Sequence, residues 1–252
     1  MQQIEPSQAA LFFAGREETP VLSFLSGRMG RAWADDEARC AQIVTGDLCL
    51  FAGDAAAPGA RALAAHVPAD HPAPSLLMIP HDAGWDALIG AVNGDLAQRI
   101  TRYRLRADAL SAERAKALCA PPPGYTLRPI DEALYTKALG AEWSRDFVSL
   151  FRDASDYRLH GMGFAALWEG ECVSGASSYL SYDGGIEIQV QTRDDHQRRG
   201  LAQACSAALI ALCLKRGVTA HWDAANETSR RLALRLGYGD GGAYEAWEVA
   251  RS

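Results

Sequence analysis

The chain has 252 residues, a net charge of −6, 48% hydrophobic residues and 22% charged residues. That balance suits a soluble globular protein, and the acidic sign argues against nucleic acid as the main partner. No apolar run approaches the ~20 residues that span a bilayer, and the first residues pair no basic segment with an apolar core. Neither a membrane partner nor a secretory signal is therefore expected. The six cysteines form no Cys-x-x-Cys pair, and no histidine stands at ligand spacing beside them. No metal site is expected, and reduced cysteines in a cytoplasmic protein are the simplest reading.

The first half alternates helical and strand patterns. Helical character is expected over 21–27 and 32–39. Residues 41–52 read as a hairpin turning at Gly46 and Asp47, followed by a loop over 53–75. Residues 76–79 are short and apolar, as in a buried strand, and 85–92 read as a helix. Residues 100–106 alternate, with Arg102, Arg104 and Arg106 on one face; the pattern fits a solvated strand face better than an anion site. Ser111 opens a helix that stops before Pro121, Pro122 and Pro123, which cannot continue it. This proline segment is the expected linker, dividing an α/β domain of unassigned role (1–120) from a second domain (121–252). The first half carries no catalytic motif.

In the second half, 125–130 read as a strand, and Asp131 caps a helix to about residue 139. A second helix is expected over 141–151, with Trp143, Phe147 and Phe151 as a core-facing stripe. Residues 163–180 read as a hairpin turning at 169–171, and Asp183, Gly184 and Gly185 turn the chain again. The strands here should form an antiparallel meander. Residues 185–192 alternate apolar Ile186, Ile188 and Val190 with polar Glu187, Gln189 and Gln191. From Leu201 the spacing becomes helical, through Ala204, Cys205, Ala208, Leu209 and Leu212. A strand from Val218, a helix opened by Asn226 and stopped by Gly237, and a strand over 244–249 complete the chain.

The strand-to-helix junction at 192–202 offers anion binding. The first amides of a helix lack intrahelical partners, and the helix dipole adds partial positive charge there. Gly200 lets a phosphate approach the backbone, and Arg198 and Arg199 could add charge-assisted hydrogen bonds. Gln197-x-x-Gly200-x-Ala202 after a strand, followed by the segment from Asn226 to Leu236-Gly237-Tyr238, resembles the GNAT N-acetyltransferases. The resemblance covers roughly 125–249. The α/β first half is similar to the N-terminal domain of the two-domain subgroup that includes zwittermicin A resistance proteins.

The resemblance implies an α/β (α+β) protein whose C-terminal GNAT fold has a mixed, mostly antiparallel sheet flanked by helices. It implies acetyl-coenzyme A as co-substrate, held by Gln197, Arg198, Arg199, Gly200, Leu201 and Ala202, by the backbone of Val190, Gln191 and Thr192, and by Asn226 and Ser229. The acetyl group would pass directly to a primary amine of a small molecule, an antibiotic or a metabolite, with Trp143 near the acceptor. Glu187 stands as general base or as a structural carboxylate. Many members carry a tyrosine four residues before the helix-ending glycine, where this chain has Ala233. The thiolate then leaves unaided or takes a proton from Ser229 or Tyr238. His196 is expected to face solvent or phosphate, and His221 to lie in a strand near the cleft. A protein or peptide N-acetyltransferase and a non-catalytic acyl-coenzyme A-binding module are the rival readings. A homodimer stays open.

Overall fold

Apolar strands separated by glycine turns build the first part of the chain. In the computed structural model, which describes residues 1–251, β1 (Gln2–Ile4) leads through α1 (Pro6–Ala9) and α2 (Thr19–Leu25) to β2 (Arg31–Ala34). The hairpin of β3 (Cys40–Thr45) and β4 (Leu48–Gly53) turns at Gly46, whose φ of 61° suits a residue without a side chain. Next come α3 (Ala60–Ala65), β5 (Ser75–Ile79), α4 (Ala83–Asn93) and β6 (Ala97–Arg106). Strands β1 to β4 pair antiparallel in chain order, and β5 joins β4 in parallel. The core between this sheet and its helices holds Phe51 stacked on Trp85 at 4.6 Å, with Leu63, Leu76, Met78 and Ile89 buried around them. Trp247–Ala250 add a further antiparallel segment beside β5.

The helix expected over 32–39 is instead β2 and a turn. The Asp35 carboxylate accepts the amides of Arg39 and Cys40, which folds the chain back so that Ala32 and Trp33 can face Ile43 and Gln42 in the ladder. Short side chains that compete for backbone amides favour such turns over helix. The loop over 53–75 contains α3.

The chain groups into two units, Met1–Arg102 with the residues from Ala243 onward, and Tyr103–Gly242. The division thus falls between 102 and 103, not between 120 and 121, and the end of the chain returns to the first unit. The proline segment joins two elements of one unit. In that unit α5 (Ala112–Leu118) precedes β7 (Tyr125–Pro129), α6 (Glu132–Gly140), α7 (Ala154–His160), β8 (Gly163–Trp168) and β9 (Glu171–Tyr182). β10 (Gly185–Thr192), α8 (Leu201–Arg216), β11 (Thr219–Ala224) and α9 (Glu227–Leu236) follow, and β12 (Gly239–Ala250) starts in this unit and runs on into the residues of the first. β7, β8, β9 and β10 pair antiparallel in sequence order, as the meander pattern predicts. β11 then lies parallel to β10 and antiparallel to Tyr103–Leu105 of β6. The result is a mixed α/β fold with a mixed sheet flanked by helices.

Ile186 and Ile188 share a core cluster with Leu201, Cys205 and Leu209 of α8 and with Ala220, Trp222 and Ala224 of β11. Each Leu or Ile buried there stabilises the fold by about 1.5–3 kcal/mol. The helix expected over 141–151 is a 3-10 turn, Glu142–Phe147, followed by irregular chain. Its Phe147 packs where a side chain on Gly175 would collide at 2.7 Å, so the glycine admits the ring. Helix α7 starts at Asp153, whose carboxylate accepts the amide of Asp156, a capping signal present in the sequence.

Candidate active site

The site begins where two parallel strands part. The β10–β11 ladder runs only from Gly185–Thr219 to Glu187–His221. At the same level the β9–β10 register shifts, pairing Glu187 with Leu180 but Ile188 with Ser178, so Tyr179 is a bulge residue. A bulge bends and twists its strand. Beyond it, β11 continues toward β6 through Trp222–Ala224, and β10 continues with β9 alone.

Hydrogen-bond parity shows which β10 groups face the opening. The amide of Arg193 donates to Val173 on the β9 side. Antiparallel partners alternate between bonded and non-bonded pairs, so Gln189 and Gln191 also turn their backbones to β9. Ile188, Val190 and Thr192 turn theirs the other way, where β11 has left. On the same edge, the carbonyl of Gly184 accepts the amide of Thr219. Val190 and Thr192 thus present peptide groups to the gap. Gln191, expected with them, does not, and its carbonyl accepts the Ser174 hydroxyl at 3.1 Å.

From this gap β10 ends at Thr192, and a 3-10 turn, Asp194–His196, followed by an exposed loop, Gln197 to Gly200, leads into α8. Gly200 is the N-cap with φ 82°, and no side chain caps the helix. A Cβ built on Gly200 would meet nothing within 4 Å, so the backbone lies bare on its outer side. The leading amides of α8, including Leu201 and Ala202, have no partner from a preceding turn and form an anion-receptive mouth. The two acidic residues beside it are already engaged. Asp194 accepts from Gln197 at 2.8 Å, and Asp195 accepts from the Arg193 guanidinium at 2.7 Å. That guanidinium holds the Asp195 carboxyl below its usual range. Arg198 is exposed, with φ 59°. Arg199 is turned inward: it donates to the Tyr125 hydroxyl and to the Asp195 carbonyl, both at 2.9 Å. His196, expected at the surface, is buried with Nδ1 2.8 Å from the Tyr125 oxygen.

The sheet face opposite α8 carries the polar residues of the opening. Because Ile186, Ile188, Ala220 and Trp222 point into the α8 core, alternation puts Glu187, Gln189, His221 and Asp223 on the other face. Tyr103 and Leu105 pack against the same core, which places Arg104, the cross-strand neighbour of Asp223, on that face too. Glu187 is 9% exposed, and its Oε1 accepts the Asp223 amide at 2.7 Å. The carboxylate therefore bridges the apex, supplying an acceptor where the backbone ladder ends. His221 Nε2 lies 2.9 Å from the Tyr182 hydroxyl. Trp143 is half-buried, edge-on to Phe147 at 5.8 Å. Asp223 and Tyr182 were not anticipated. The alternation of Ala220, Trp222 and Ala224 with His221 and Asp223 is the signal that could have found Asp223.

The second helix of the site closes its own end. Asn226 Oδ1 accepts the Ser229 amide at 3.0 Å. Ser229 Oγ accepts from Trp222 Nε1 at 3.0 Å. Ala233 is buried on the inner side of α9. Tyr238 is also core: its hydroxyl donates to the Ala220 carbonyl at 2.8 Å, and burial pushes its pKa well above the ordinary value. A proton so held is poorly placed to reach a departing thiolate, which corrects the expectation for Tyr238.

The residues fit an acyl-coenzyme A. An elongated ligand with a diphosphate at one end and amides along its arm finds an uncapped helix mouth and a strand edge with outward peptide groups. Among the described residues no cluster of three or more His, Cys, Asp or Glu could hold a metal ion, and no helix is long and apolar enough to cross a membrane.

A family model described as GNAT acetyltransferase matches residues 10–247. An uncharacterized N-acetyltransferase of Bacillus subtilis (strain 168), YdfB, is 25% identical over 156 residues. That match covers 61% of this chain and 58% of the relative, so it spans little more than half of YdfB. The crystal structure of a GCN5-related N-acetyltransferase-like protein from Streptococcus suis 89/1591 is 35% identical, with a TM-score of 0.88 over 97% of this chain and 98% of that one. A GCN5-related N-acetyltransferase from Kribbella flavida shares the fold, with a TM-score of 0.60 at 16% identity, covering 93% of this chain and 97% of its own.

Proposed function

Since the chain belongs to the GNAT acetyltransferase family, we propose that it moves an acetyl group from acetyl-coenzyme A to a primary amine of a small molecule, by direct attack in a ternary complex. The observation that carries this reading is the continuity of β10. Its outward edge at Ile188, Val190 and Thr192 leads, through the 3-10 turn Asp194–His196 and the loop 197–200, to the bare N-terminus of α8. In this reading Gly200, Leu201 and Ala202 receive the diphosphate through their amides. Arg198 adds charge at the rim, and Gln197 holds the loop through Asp194. The edge amides of Val190 and Thr192 line the arm and steady the thioester oxygen as it gains charge. Asn226 and Ser229 flank the opposite side.

The co-substrate supplies an activated acyl carbon and a thiol acidic enough to leave with little help. This chain must position the amine and remove its proton. We assign that proton to Glu187, fixed at the apex by the Asp223 amide. An amine bound on the face carrying Glu187, His221 and Asp223 would arrive as an ammonium, attracted by the two carboxylates. Ser229 is the group nearest in chemistry to an acid for the thiolate. The finer kinship with zwittermicin A resistance proteins would make the acceptor an amine-bearing antibiotic or metabolite, with Trp143 at its pocket.

Calorimetry with acetyl-coenzyme A, combined with a thiol-release assay over small primary amines and peptide N-termini, tests the reading. Binding with turnover of small amines is expected. Turnover of peptides alone would shift the acceptor class, binding without turnover would leave a sensor, and no binding would end the proposal.

A further inference from the structure

Resting on the reading of the α8 mouth as the diphosphate site, we infer that Tyr125, His196 and Arg199 form a brace that presets the coenzyme loop. Tyr125 and Arg199 are then positioning residues and not phosphate ligands.

The loop adopts a conformation that needs support. Arg198 and Gly200 both have positive φ, 59° and 82°. A residue with a side chain in the left-handed region costs roughly 1–2 kcal/mol and persists where its surroundings over-determine it. Residues 197–200 are exposed, so packing on the loop itself does not supply that support. The support comes from the residue between the two. Arg199 sends one guanidinium nitrogen to Tyr125 Oη and another to the Asp195 carbonyl, both at 2.9 Å.

The far end of the brace is rigid. Tyr125 and His196 are 8% and 6% exposed. The Tyr125 ring lies 4.8 Å from that of Trp168. Trp168 in turn fills the space beside Gly124, where a Cβ would approach it at 2.5 Å. Arg199 can only donate, so the Tyr125 hydroxyl oxygen accepts from it. The same oxygen lies 2.8 Å from His196 Nδ1, and His196 Nε2 lies 3.6 Å from the Asp195 carboxylate. Tyr125 belongs to β7, two strands beyond β9 from the coenzyme edge, and is far from the loop in sequence. The brace therefore ties the loop to the sheet core.

The two adjacent arginines have divided tasks: Arg198 points to solvent at the rim, and Arg199 faces the protein. A loop ordered in advance loses less conformational freedom on binding, so the brace should appear as affinity without touching the ligand.

Two arms test it. In the ligand-free protein, hydrogen exchange at the amides of 197–201 should quicken by about three- to tenfold in Tyr125→Phe, the worth of a hydrogen bond, and at least as much in Arg199→Met. With acetyl-coenzyme A, each variant should raise Kd and KM by about three- to tenfold while kcat at saturation stays within about twofold, and the double variant should be no worse than the worse single one. The salt dependence of binding should be the same in Arg199→Met as in the unmodified chain, because no phosphate contact is lost. Additive losses, a flattened salt dependence, or loop exchange unchanged in Arg199→Met would each overturn the brace. Arg199 is at the surface, so that variant decides the matter even if Tyr125→Phe weakens the core. If the unmodified protein binds no acetyl-coenzyme A, the coenzyme reading falls, and the exchange arm still judges the brace by itself.

Discussion

Two strand–helix pairs in the same unit, β10 with α8 and β11 with α9, follow one another in the chain and begin their helices in opposite ways. Helix α9 is closed by Asn226, as α5, α6 and α7 are closed by Ser111, Asp131 and Asp153. Helix α8 starts at a left-handed glycine with no side-chain cap. An uncapped end leaves amides to water and forgoes about 1 kcal/mol that a capping side chain contributes. The lesson is that α8 tolerates this because its long apolar side, with Leu201, Cys205, Leu209, Ile210 and Cys213 buried, holds it in place without a cap. Stability comes from one surface of the helix, and its end is left available for a ligand.

Five substitutions would break or sharpen that contrast. Glu187→Gln, at the apex of the first pair, keeps an oxygen for the Asp223 amide and removes the base. It should lower kcat by about 10²–10⁴-fold with thermal stability nearly intact, read from steady-state rates and a melting curve. A kcat within a few-fold of normal would leave Glu187 a purely structural carboxylate. Gly200→Asp closes the open helix with a negative group and should weaken acetyl-coenzyme A binding by about 30- to 100-fold in calorimetry, since it sets a carboxylate against phosphate at a point-blank helix mouth. Gly200→Asn, neutral and tolerant of left-handed backbone, should lose much less. Equal losses would mean that conformation, not charge, governs the mouth.

Asn226→Ala opens the closed helix. It should cost about 1 kcal/mol of stability in denaturant titration and change coenzyme affinity by about twofold or less. A large affinity loss would instead make Asn226 a direct contact. Ser229→Ala should have the smallest effect on rate. It leaves Trp222 Nε1 without its acceptor, so a loss of about 1–2 kcal/mol in stability is expected beside a kcat change of a few-fold at most.

Local signals were readable. The caps at Ser111, Asp131 and Asn226, the turn at Gly46 and the alternation over 185–192 depend on neighbours a few residues away, and each appears in the structure as the sequence predicts. What escaped depends on distant partners. The direction of the Gln191 backbone is set by its register with Gly175, and the inward turn of Arg199 by Tyr125. No pattern within 185–202 contains either fact. The alanines and flanking charges of β2 suit a helix, and pairing with β1 and β3 overrides that preference. Tyr238, just beyond α9, is a proton-donor candidate by its place in the sequence, and only the fold sets its hydroxyl on the Ala220 carbonyl.

The return of the chain to its first unit has a consequence for synthesis. Trp247–Ala250, which line up with Met78 to Ser75, leave the ribosome after all of 103–242. Until then one side of β5 waits unpaired, with Leu76, Leu77 and Met78 on a bare edge of the kind that invites association between nascent chains. A polypeptide halted before Ala243 would retain every residue of the candidate site and still carry that adhesive edge.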